Sequence, residues 1–126
     1  MSDITTIVND YIAGWNEGDA GRRRALVAQA YTEAARYVDP MMSGEGHDGI
    51  AAMIGGAREQ FPGHRFVLAD GPDAHHNRVR FTWHLVPADG DGDGAAPVAI
   101  GVDFARVAGD GRLAEVTGFL EPAASS

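Results

Sequence analysis

Three side chains in this sequence stand among neighbours that make them chemically unusual. Asp103 interrupts Ile100-Gly101-Val102-Asp103-Phe104-Ala105-Arg106-Val107, an otherwise apolar run. Alternation along a strand puts Gly101, Asp103, Ala105 and Val107 on one face, and Val102, Phe104 and Arg106 on the other. On an exposed face Asp103 is an ordinary surface carboxylate. Turned inward, among small residues that leave space for a ligand, the same carboxyl is desolvated. Its pKa then rises, and its neutral form can donate a hydrogen bond. The residues alone leave both faces open. Asp39 ends the extended run Tyr37-Val38-Asp39 and precedes Pro40. It reads either as a turn-forming carboxylate or as a carboxylate at the rim of the same core. Tyr11 is the third candidate. It sits on the apolar stripe of a helix, which by itself reads as a core tyrosine whose hydroxyl finds a partner.

Other chemistry-bearing residues group less well. His75 and His76 are adjacent in a polar segment, where extended backbone would point their rings apart. His47, His64 and His84 fall in different elements without ligand-like spacing, so no metal site is expected. Asp91-Gly92-Asp93-Gly94 has the start of a calcium loop but lacks the glutamate at the twelfth position. Arg22-Arg23-Arg24 lies early in a helix, where cations are slightly unfavourable, and reads as a solvated face.

The elements that must position these residues follow from periodicity. Ile4, Ile7, Val8, Tyr11, Ile12 and Trp15 form one face of a first helix that stops near Gly18. Asp19 caps a second helix, about Ala20 to Tyr31, with Leu26, Val27, Ala30 and Tyr31 facing inward. A strand from Ala35 to Asp39 ends at Pro40, and Met41 to Gly46 reads as loop. A third helix opens at His47-Asp48, buries Ile50, Met53, Ile54 and Ala57, and finishes near Phe61-Pro62-Gly63. Beyond Gly63 the period changes from helical to alternating. Arg65 to Ala69, Asn77 to Pro87, Val98 to Ala108 and Arg112 to Glu121 read as four strands. Residues 88 to 96 form an acidic, glycine-rich hairpin loop, and Gly109-Asp110-Gly111 a tight one. Helices followed by strands indicate an α+β fold: three N-terminal helices packed on a strongly curved, mostly antiparallel sheet. The resulting cone has room for one apolar pocket.

Composition bounds the possibilities further. At 126 residues the chain reads as a single domain over residues 1 to 126, with a frayed tail at 122–126. A formal charge of −8 and the lack of a basic stripe argue against nucleic acid and against anionic membrane surfaces. The absence of cysteine excludes disulfides, thiolate catalysis and zinc–thiolate or iron–sulfur sites. Neither a basic leader followed by an apolar run nor a run of about 20 apolar residues is present, so a cytoplasmic protein is expected.

Taken in order, these segments resemble the nuclear transport factor 2-like (SnoaL-like) superfamily. The resemblance is carried by Trp15-Asn16-Glu17-Gly18-Asp19 between helices, Tyr37-Val38-Asp39-Pro40, Gly111-Arg112-Leu113 and Thr117-Gly118-Phe119-Leu120-Glu121. It spans about residues 4 to 121. Within that superfamily the chain is similar to bacterial ketosteroid isomerases at three positions. Tyr11-Ile12 through Gly18-Asp19 matches the context of their helix-one tyrosine. Asp39-Pro40 matches their general-base aspartate. Asp103, eight residues before Gly111, matches their oxyanion-hole aspartate. It departs from them at Ile54, near the position of a second tyrosine, and at Leu120, in place of a tryptophan.

The resemblance implies a cone-shaped NTF2-like fold and a proton shift next to a carbonyl. Asp39 would act as base, and Tyr11 with a protonated Asp103 would hold the enolate oxygen. Trp15, Phe61, Trp83, Val116 and Leu120 are expected as apolar walls, with Gly101 and Gly118 giving room. No cofactor is required. The expected partners are a small apolar or carbonyl-containing ligand and a second copy of the chain against the outer sheet face. Two alternatives stay open: a SnoaL-type polyketide cyclase relying on Asp103, and a non-catalytic module binding an apolar ligand.

Overall fold

The computed structural model describes residues 4–88 and 96–121. Helix α1 (Ile4–Asn16) buries Ile7, Val8, Tyr11 and Trp15 of the predicted stripe, with Ile4 and Ile12 only partly covered. Helix α2 (Ala20–Ala30) is capped by Asp19, whose side chain accepts from the Arg22 N–H at 2.9 Å. The expected second helix is one residue too long, because Tyr31 already has extended geometry and opens β1 (Tyr31–Val38). Strand β1 is therefore longer than the predicted Ala35 to Asp39. The segment expected as loop contains a short strand, β2 (Ser43–Glu45), paired antiparallel with β1. Helix α3 (Gly46–Gln60) buries Ile50, Ile54 and Ala57, while Met53 is only partly covered.

Strand β3 (His64–His75) runs far beyond the predicted Arg65 to Ala69. Its large apolar side chains stop at Leu68, and the mostly polar remainder Asp70 to His75 hides its strand character. That remainder is held by ladder bonds to β4 (Arg78–Pro87). The register slips twice on the way, at Leu68/Asp70 and at Asp70/Asp73. His75 and His76 do not diverge as expected. His76 adopts φ 53° in the two-residue turn, and its ring Nδ1 lies 3.2 Å from that of His75. Strands β5 (Ala99–Val107) and β6 (Leu113–Glu121) complete the sheet where predicted. Gly111, with φ 88°, makes the turn between them. Most of the acidic hairpin expected at 88–96, and the whole tail at 122–126, lie outside the described residues.

The six strands are ordered β2-β1-β6-β5-β4-β3. Every neighbouring pair is antiparallel except β1 and β6, which run parallel. The three helices cover one face of this sheet, and the core fills the space between them. On β5, Gly101, Asp103 and Ala105 are buried while Phe104 and Arg106 are exposed. Tertiary packing thus selects the inward face for Asp103, which is 1% exposed. Among the described residues no helix is long and apolar enough to cross a membrane.

Candidate active site

An apolar cavity opens between α1, the end of α3, the end of β1 and the concave side of the sheet. It encloses about 560 Å³ of unfilled space, its solvent-open mouth included. Helix α1 delivers Tyr11 and Trp15 to it, and Asp39 stands on its wall where β1 ends. Phe61 enters from the end of α3, Trp83 from β4 and Leu120 from β6.

Asp103 lies behind this wall, sealed from solvent. Its Oδ2 accepts the Tyr11 hydroxyl at 2.5 Å and the Trp83 indole N–H at 3.1 Å. Burial pushes its carboxyl up to about 7. The hydrogen bonds from Tyr11 and Trp83 pull the other way, and the Asp39 charge adds to the rise. Tyr11 is itself held well above the usual phenol range, first by burial and then by the proximity of Asp103, so it keeps its proton and is the donor of the pair.

Asp39 is held differently. Oδ1 accepts the backbone N–H groups of Met41 and Met42 at 2.8 and 2.9 Å, and Oδ2 accepts the Tyr37 hydroxyl at 2.6 Å. The turn-forming role and the placement on the cavity wall therefore hold at once. Between the two carboxyls lies Gly118. A Cβ there would stand 2.7 Å from Asp103 Oδ1, 3.2 Å from Asp39 Cβ and 3.4 Å from the Tyr37 hydroxyl. Only a residue without a side chain lets these three groups converge.

The structure brings Tyr11, Asp39, Trp15, Phe61, Trp83 and Leu120 to one cavity and leaves Val116, Gly101 and Gly118 outside its lining. Val116 is fully buried, paired with Tyr37 on β1 and Ala105 on β5, and belongs to the packed core. Gly101 gives room to the protein instead of a ligand. A Cβ on it would fall 2.1 Å from the Trp83 ring, which occupies the space above the strand. Gly118 gives room to Asp103, Asp39 and Tyr37.

Sequence reasoning missed Tyr37 and Phe66, both on the cavity wall. For Tyr37 a signal was present, because a residue two before Asp39 on a strand shares its face. Ile54 is buried without a hydroxyl to offer. The Tyr11 hydroxyl is partnered by Asp103 on β5, and its ring packs against Tyr31 on β1 with centres 5.8 Å apart. Burial raises the Tyr31 and Tyr37 phenols as well.

Residues 8–116 match the family model of the SnoaL-like domain. A proposed isomerase of the SnoaL-like family from Agrobacterium tumefaciens strain C58 is 52% identical to the chain. It superposes with a TM-score of 0.85 over 96% of this chain and 99% of its own. An NTF2-like protein of unknown function from Cytophaga hutchinsonii aligns with a TM-score of 0.67 at 11% identity, over 97% and 93% of the two chains. A proposed SnoaL-like polyketide cyclase from Jannaschia sp. CCS1 aligns with a TM-score of 0.67 at 21% identity, over 96% and 90%. No curated protein shows significant sequence similarity to the chain. The match over most of the chain, on a helix-covered curved sheet, makes this protein a member of the SnoaL-like family with an NTF2-like fold.

Proposed function

We propose that the protein is a small-molecule acid/base enzyme of ketosteroid-isomerase type, moving a proton next to a carbonyl. The observation that carries this reading is a pair of carboxyls in opposed settings, one on the cavity wall and one sealed behind it. Asp103 is sealed beside Tyr11 and pushed up to about 7, while Asp39 stands on the cavity wall among three donors. Groups held in such contrasting environments divide acid and base roles, and ketosteroid isomerases use a neutral carboxylic acid in this way. The ionised Asp39 takes the α-proton of an unsaturated ketone. Charge develops on the carbonyl oxygen as a dienolate, which accepts hydrogen bonds from Tyr11 and from neutral Asp103. The protonated Asp39 then returns the proton to the γ-carbon, and no cofactor takes part. A second copy covering the outer sheet face completes the proposal.

A cyclase reading, with Asp103 as the acid/base group, is favoured by one observation. The two backbone N–H groups on Asp39 Oδ1 tie that carboxylate into its turn. Turnover of a small β,γ-unsaturated ketone separates the readings. Asp39→Asn is expected to lower the isomerase rate by about 10²–10⁴ while a phenolic enolate mimic still binds. A cyclase would tolerate Asp39→Asn and lose activity on a polyketide-like substrate with Asp103→Asn. Wild-type protein with no rate above buffer on the ketone overturns the isomerase reading.

A further inference from the structure

Gly101 and Trp83 face each other across β5 and β4. With no side chain at Gly101, the indole lies against the strand, and Phe66 meets it edge-on with ring centres 5.1 Å apart. Packed between the two, the indole aims its N–H at Asp103 Oδ2. The Tyr11 hydroxyl donates to that same oxygen. Oδ1 is equally buried and has no hydrogen-bond partner among the described residues. In a neutral carboxyl the carbonyl oxygen is the better acceptor and the hydroxyl oxygen the donor. Two donors converging on Oδ2 make it the carbonyl.

We infer that Trp83 is a positioning residue whose N–H keeps the Asp103 proton on Oδ1, the oxygen that faces Gly118 and the Asp39 side of the cavity. This rests on the reading of Asp103 as the acid of the site. It gives Trp83 a task that Tyr11 cannot perform. When a ligand oxygen takes the Tyr11 hydroxyl, Oδ2 loses that donor, and the indole N–H alone holds the carboxyl in its donating orientation. The titratable groups near Asp103 are Tyr11 from α1, Tyr31 and Tyr37 from β1, and Asp39 just beyond β1. The three phenols keep their protons, so the neighbour that carries charge is Asp39.

The chain has two tryptophans, so the Trp83 indole N–H resonance is readily assigned. In the ligand-free wild type it is expected to shift with pH at the same midpoint as the Asp103 carboxyl carbon, and to lose that step in Asp103→Asn. Trp83→Phe keeps a ring above Gly101 and removes the N–H. The Asp103 midpoint is then expected to rise by about one unit, because a hydrogen bond favouring the ionised form is lost. The infrared carbonyl stretch of protonated Asp103 should move to higher frequency, since its carbonyl oxygen has lost a donor. A stretch unchanged in Trp83→Phe would place the proton on Oδ2 and overturn the inference. So would an indole resonance indifferent to Asp103, a wild-type measurement that stands even if Trp83→Phe does not fold. A wild-type Asp103 midpoint near the ordinary value of about 4 overturns the acid reading itself, and the two failures are therefore told apart.

Discussion

At the scale of the residue, the buried Asp103 couples the proposed chemistry to stability. Its carboxyl is raised from 3.8 to about 7 in the folded chain, first by burial. Below pH 4 both states are protonated and the group contributes no pH dependence. Between pH 4 and 7 the unfolded chain ionises while the folded chain holds its proton, so stability falls as pH rises, and above 7 the loss levels off. Asp103→Asn cannot ionise. From pH 5 to pH 8 the wild type is expected to lose about 2–3 kcal/mol relative to this variant, read from urea unfolding at both values. Equal pH dependence in the two proteins would show that Asp103 titrates normally. Gly118→Ala tests the convergence of the two carboxyls. Its methyl group would lie 2.7 Å from Asp103 Oδ1. That overlap forces the carboxyl or strand β6 to shift, at a cost of about 1–3 kcal/mol in denaturant unfolding.

At the scale of the element, the site depends on how α1 is fixed against the sheet. The Asn16 side chain ends the helix by imitating a strand: it donates to the Phe66 carbonyl at 2.8 Å and accepts the Phe66 N–H at 2.7 Å. This double bond pattern ties the C-terminal turn of α1, one turn beyond Tyr11, to the start of β3. Asn16→Ala leaves both Phe66 groups without these partners and is expected to cost about 1–3 kcal/mol. Faster amide exchange at Phe66 would accompany the loss, whereas unchanged protection would mean that water substitutes fully. Strand β1 has a double duty that its sequence half reveals. Ala35 and Tyr37 face the core, and the same alternation carries on to Asp39 at the cavity.

At the scale of the whole molecule, the inner sheet face is filled by the helices and the outer face exposes Phe104 at 46%, Phe119 at 55% and Val38 at 47%. The Phe104 and Phe119 rings meet edge-on at 5.9 Å. Around them the charges alternate in sign across β1, β6 and β5, with Arg36 opposite Glu115 and Glu115 opposite Arg106. A two-fold related copy can meet such a surface with its own apolar centre and opposite charges. The expected outcome is a dimer by sedimentation at micromolar concentration, shifted toward monomer by Phe104→Asp with the fold retained. A monomeric wild type removes the second copy from the proposal.

The elements legible in the chain are those whose signal is local. The stripe of α1, the cap at Asp19 and the alternation of β4 and β5 all arise between residues a few positions apart. Periodicity also reduced Asp103 to two faces. Only the tertiary structure chose between them, because burial depends on partners such as Tyr11, 92 positions away. The same limit explains the other differences. Tyr31 leaves its helix to pair with Leu113. The polar end of β3 is a strand because β4 supplies its ladder. Gly101 gives its space to Trp83, a choice made by the register of two strands and invisible in either one alone.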